Sequence, residues 1–215
     1  PAAWMDGRDG RVKENRQASN AAKISGRSTG SADPATRSGV HLIRTKSARM
    51  IHAAFALSGI AGLVYEVLWS RYLGLFVGHG AYAQVLVLAV YLGGMGLGAL
   101  AVADRSRRLA GPLLWYAAAE GVLALFGLAF HPLFVLATEG SYGVLFPAIA
   151  SPSWSGSVRW AVAGLLILPQ AVVLGTTFPL MAAGLVRDDP TRPGGGVAQA
   201  YLLNTLGGAA GVLLA

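Results

Sequence analysis

Five apolar stretches between residues 51 and 215 constrain the fold more than any other feature of this chain. They cover about 51–69, 81–103, 112–137, 160–186 and 197–215. A helix rises about 1.5 Å per residue, so roughly 20 residues cross a hydrocarbon core of about 30 Å. Five buried helices of a water-soluble protein would need polar amphipathic helices around them, and the sequence offers none. The composition agrees: 54% of residues are hydrophobic, 13% are charged and the mean hydropathy is +0.53. Soluble domains carry about 25% charged residues. The expected fold class is therefore all-α, a polytopic transmembrane helical bundle whose direct partner is the lipid bilayer. With no cysteine, a disulfide framework and a thiolate metal site are both excluded.

Charge is concentrated at the start. Residues 1–50 hold ten Lys or Arg against four Asp or Glu, a net +6, whereas residues 51–215 carry +1. This first segment is rich in Gly, Ser, Asn and Arg and lacks periodicity, so a disordered basic N-terminal tail is expected. It can rest on anionic headgroups or serve as a topology signal. Nucleic acid is a poor partner, because no aromatic interleaving accompanies the charge. In the short connectors, five basic residues (Arg105, Arg107, Arg108, Arg187, Arg192) lie on the tail's side and two (Arg71, Arg159) on the other. The positive-inside rule then places the N-terminus in the cytoplasm of a bacterial inner membrane. The connector from Thr138 to Val158 is expected as an external aromatic belt or a re-entrant piece. The fifth span stops at Ala215 without a closing loop, aromatic anchor or charged flank, and we expect the natural protein to continue.

Polar groups within the spans are the candidate ligands or counter-charges. A carboxylate in hydrocarbon must face the bundle interior, find a cation or hold a proton. Glu66 has Arg71 and His79 nearby in sequence; Glu120 has no basic neighbour within two turns and needs one from another span. Asn204 can donate and accept across a helix interface. Gln170 follows Pro169, and Pro179 removes the helical donor of the Gly175 carbonyl. The fourth span is thus a candidate broken helix whose freed carbonyls line a cavity. The alternative is that Thr176 and Thr177 satisfy them locally. Gly94 and Gly98, like Gly207 and Gly211, are spaced for close helix approach. The run 93–98 (GGMGLG) lies inside an apolar span and is no nucleotide loop. His41, His52, His79 and His131 are too scattered for a metal site, and no nucleophile has a placed base. No catalytic residue is assigned.

Several short runs bear a family likeness. Residues 58–71 (SGIAGLVYEVLWSR) resemble the first membrane segment of bacterial spermidine-synthase-like membrane proteins, often described as fused transporter/spermidine synthases. The likeness continues at 80–83 (GAYA), 94–98 (GMGLG), Asp104-Arg105, 174–181 (LGTTFPLM) and 200–208 (AYLLNTLGG), in the expected order. It implies an N-terminal multi-span region followed, beyond residue 215, by a Rossmann-like aminopropyltransferase domain. That domain would bind decarboxylated S-adenosylmethionine and a polyamine; its glycine-rich loop is absent from these 215 residues.

Three functions compete. The chain is the membrane part of a polyamine aminopropyltransferase-like transferase, a transporter of a polyamine or other organic cation, or a non-catalytic scaffold within a homo-oligomer or larger membrane assembly. Internal carboxylates favour the first two, and glycine-mediated packing the third.

Overall fold

The computed structural model describes residues 34–149, 151–190 and 193–215. The chain divides into two units, Pro1–Ser47 and Ala48–Ala215, and the second is the membrane-length body. The expected tail lies outside the described residues as far as residue 33. The structure starts the first helix within that segment, at Pro34.

Among the described residues there are five long helices: α1 (Pro34–Val77), α2 (Gly80–Ser106), α3 (Pro112–Gly140), α4 (Pro152–Asp188) and α5 (Pro193–Leu214). Each contains a stretch long and apolar enough to cross a membrane, beginning in α1 at Arg49. No strand occurs among the described residues. The membrane-length stretches are predominantly apolar, as helices surrounded by lipid must be. Large side chains accordingly point outward: Leu128 is 81% exposed and Leu213 88% exposed. In water such a surface would aggregate; in a bilayer it meets acyl chains. This is a multi-pass membrane protein.

The connectors alternate between two ends of the bundle. One end carries the arginine-bearing turns after α2 and α4. The other carries the α1–α2 turn and the segment between α3 and α4. In the α1–α2 turn Gly78 has φ +87°, a left-handed conformation that glycine adopts without penalty, and its N–H donates to the Gly74 carbonyl at 3.0 Å.

Three expectations need correction here. The segment Thr138–Val158, expected as a connector between the third and fourth spans, is mostly helical. α3 runs to Gly140, continues as a π turn over Ser141–Leu145 and a last helical turn over Phe146–Ala148, and α4 begins at Pro152. The reason is aromatic packing: Tyr142 and Phe146 stack edge-on to each other, Tyr142 packs edge-on against Phe76, and the Arg159 guanidinium lies over both. Arg71 belongs to no connector, because α1 continues to Val77. The fourth helix is unbroken through both Pro169 and Pro179. Its Thr176 and Thr177 hydroxyls donate to the Val173 and Leu174 carbonyls at 2.7 Å, and the Gln170 amide donates to Leu166 at 3.0 Å. These bonds go to carbonyls beside the ones that Pro169 and Pro179 deprive of a donor, those of Leu165 and Gly175, so the side chains brace the adjoining turns and do not replace the lost bonds.

Two apolar clusters form the interior. The larger, toward the aromatic end, centres on Trp69, Leu73, Val87, Ile167 and Phe130. The smaller, toward the arginine end, contains Phe55, Tyr116, Leu180, Met181 and Leu185.

Candidate functional site

A pocket of about 360 Å³ lies between the two apolar clusters, touching Phe55 of one and Tyr91 and Leu174 of the other. Its polar lining comes from four helices: Ser58 of α1, Tyr91 of α2, Thr177 of α4 and Asn204 of α5. Ser58, Thr177 and Asn204 each stand about ten residues from the arginine end of their spans. That corresponds to about 15 Å of helix, half of a hydrocarbon core. The pocket therefore sits near mid-membrane depth.

Glycine seams hold the helices that enclose it. A Cβ placed on Gly98 would strike the Val172 carbonyl, and one on Gly175 the Met95 carbonyl, so α2 and α4 touch backbone to backbone. Gly94 meets Ala171 in the same seam, with its would-be Cβ 2.6 Å from that of Ala171. On the other side, a Cβ on Gly59 would strike the Asn204 carbonyl, on Gly207 that of Ala56, and on Gly211 that of Ile60. This seam joins α1 to α5. Small residues permit such close approach where no side chain could intervene. The pocket opens between the two seams and is lined from both.

The pocket offers acceptors alongside the donors of Ser58, Tyr91 and Asn204. The Thr177 hydroxyl spends its proton on Leu174 and keeps its lone pairs. Asn204 brings an amide oxygen. Gly175, also in the lining, has a carbonyl whose helical donor is lost at Pro179. The remaining walls are apolar, with Leu63, Met95, Phe55 and Phe178 among them.

The two carboxylates flank this pocket without lining it. Glu66 is half-buried and within electrostatic reach of Tyr91. No ion pair joins it to Arg71 among the described residues, and Arg71 is exposed; the expected pairing is not made. Five residues of helix turn a side chain about 140° around the axis, which points the two apart. Glu120 stands beside Tyr116, one turn earlier on α3, and Tyr116 neighbours Ser58 across the α1–α3 interface. The Glu120 Oε1 and Tyr116 hydroxyl oxygens are both enclosed and interact electrostatically with each other. His79 is exposed and packs edge-on against Tyr82.

Of the residues singled out in the sequence, Thr177 and Asn204 meet in the pocket. Thr176 and Gln170 do not line it; Gln170 is fully buried and bonds within α4. Sequence reasoning missed Ser58, Tyr91 and Tyr116. A signal existed for the tyrosines. Tyrosine favours the membrane interfaces, so one placed mid-span points to a polar interior. No group of three metal-ligating side chains occurs among the described residues. No protein-family model, curated protein or solved structure matches this chain.

Proposed function

We propose that this chain is the membrane-embedded region of a spermidine-synthase-like protein, and that its central pocket binds a polyamine or a similar organic cation. One observation carries the reading. The runs that bear the family likeness are far apart in sequence, yet four of them contribute to the same pocket: Ser58 and Gly59 from the first, Met95 and Gly96 from the second, Thr177 and Phe178 from the third, and Asn204 from the fourth. A polyamine alternates ammonium groups with methylene spacers. Acceptor oxygens set among apolar walls match that alternation, two aromatic rings at Phe55 and Phe178 suit an ammonium face-on, and Glu66 and Glu120 supply counter-charge at the margins. Aminopropyl transfer would belong to a domain beyond residue 215, which would also hold decarboxylated S-adenosylmethionine. The described residues provide no strand-to-helix glycine loop for that cofactor. The uneven arginines support an N-terminus in the cytoplasm of a bacterial inner membrane.

Labelled spermidine binding to the purified chain in nanodiscs tests the reading. The wild type is expected to bind, and Thr177→Val and Asn204→Leu are each expected to weaken binding about tenfold, equivalent to about 1.4 kcal/mol. Absence of binding by the wild type, or undiminished binding by both variants, would overturn it. The mid-membrane depth of the pocket also favours transport of the same cation as a second reading. Uptake into proteoliposomes that is lost in Glu120→Gln would move the conclusion to a transporter.

A further inference from the structure

A second and larger cavity, of about 760 Å³, lies at the arginine end between α2, α4 and the start of α5. Its walls are apolar, with Ala103, Phe178, Ala182, Val186 and Val197 among them, and its two basic side chains are Arg107 and Arg187. The position of these arginines follows from the fold. Arg107 caps the end of α2, and Arg187 is in the last turn of α4. Each is at the level where its helix leaves the apolar layer. Arg187 is also held in place: one guanidinium nitrogen donates to the Leu109 and Ala110 carbonyls of the α2–α3 connector, the latter at 2.8 Å. The guanidinium carries further N–H groups beyond that nitrogen. Asp188 does not line this cavity; it lines the neighbouring cleft beside Gly111 and Leu113, and Arg187 borders both. Among the described residues the acidic ones at this end are Asp104, Asp188 and Asp189, and none contributes to the cavity lining.

We propose that this groove is a site for an anionic phospholipid, with its phosphate on Arg107 and Arg187 and the upper part of an acyl chain along Phe178, Ala182 and Val186. Charge complementarity and the order of the lining argue for a lipid in particular. A soluble phosphate needs only the arginines and gains nothing from the apolar floor. A lipid uses both, in the sequence in which headgroup and chain occur along the membrane normal. Basic clefts between membrane helices are a recurrent setting for anionic headgroups. The site is separate from the central pocket: it shares with it only Phe178, and it does not depend on a polyamine being the ligand there.

Native mass spectrometry of the chain released from nanodiscs with equal amounts of phosphatidylglycerol and phosphatidylcholine provides the test. The wild type should retain phosphatidylglycerol in preference to phosphatidylcholine. Arg107→Gln should lower that retention about fivefold, the effect of one basic residue near the headgroup layer. Ala183→Trp, which fills the groove without changing charge, should abolish it and so covers the case in which Arg187→Gln disturbs the α2–α3 connector that Arg187 holds. Equal retention of the two lipids overturns the proposal, as does preference that survives both Arg107→Gln and Ala183→Trp. Displacement of the lipid by inorganic phosphate alone would also overturn it, because the site would then read a free anion. A lipid-free dimer that Ala183→Trp dissociates would assign the groove to a second copy of the chain instead.

Discussion

The bundle is joined by two kinds of helix interface, and they obey opposite rules. The α2–α4 and α1–α5 seams are made of glycine against carbonyl, with Gly98 on Val172 and Gly207 on Ala56. The α1–α3 interface is made of rings: Phe55 on Tyr116, Trp69 on Phe130, and Tyr72 on Phe130 and Phe134, at centroid distances between 4.9 and 6.1 Å. Lipid tails are as apolar as these side chains, so no hydrophobic gain drives the helices together. The glycine seams gain from backbone proximity and the aromatic one from interlocking area. The first fails when atoms are added and the second when they are removed. The polar pocket lies between the two glycine seams and takes lining residues from both, Met95 and Gly175 from one and Gly59 and Asn204 from the other.

The largest expected effect lies in the aromatic interface. Trp69 is 1% exposed and packs on Tyr65, Tyr91 and Phe130. Trp69→Ala should cost about 3–5 kcal/mol, read as a fall in the thermal midpoint in detergent by circular dichroism. A loss below about 1 kcal/mol would mean that the rings fill space without joining the helices.

Adding one carbon to a glycine seam should come next. Gly98→Ala is expected to cost about 1–3 kcal/mol by the same measurement, since the neighbour is backbone and cannot rotate away. Gly121, in α3, has nothing within 4 Å of a would-be Cβ. Gly121→Ala should therefore leave stability unchanged or raise it by up to about 1 kcal/mol through the better helix propensity of alanine. If Gly98→Ala and Gly121→Ala behaved alike, the distinction between the interfaces would fail.

A smaller effect sharpens the same contrast. The Tyr65 hydroxyl donates to the Leu123 carbonyl at 3.3 Å, and its ring sits against Gly127. Tyr65→Phe keeps the ring and removes the hydrogen bond, and should cost about 0.5–1.5 kcal/mol. A cost as large as that of Trp69→Ala would show the interface to be held by hydrogen bonding more than by ring packing.

The sequence was most legible where the physics is local. Hydropathy over windows of about 20 residues is enough to locate the five spans, because hydrocarbon penalises every unpaired polar group along a helix. The helix ends were less legible. Residues 141–148 read as loop because the apolar run there is short and contains Pro147, yet contacts with Phe76 and Arg159 keep them helical. The site was partly legible. Thr177 and Asn204 stand out as polar groups in apolar runs. Ser58 did not, because a single serine in a span is unremarkable until Asn204, Tyr91 and Tyr116 are seen around it. Arg71 was a candidate partner for Glu66 only if the first helix ended near Ser70, and α1 runs on to Val77.

The sequence by itself determined the solvent, the number of crossings and their alternating direction. Each of these depends on residues summed along one stretch of chain. Only the tertiary structure decided which glycine meets which carbonyl, and hence where the pocket lies and which polar groups share it. A helix that is apolar on every side carries little instruction about which face to turn inward. In lipid that choice is made by close packing between helices, a property of pairs of segments that neither segment carries alone.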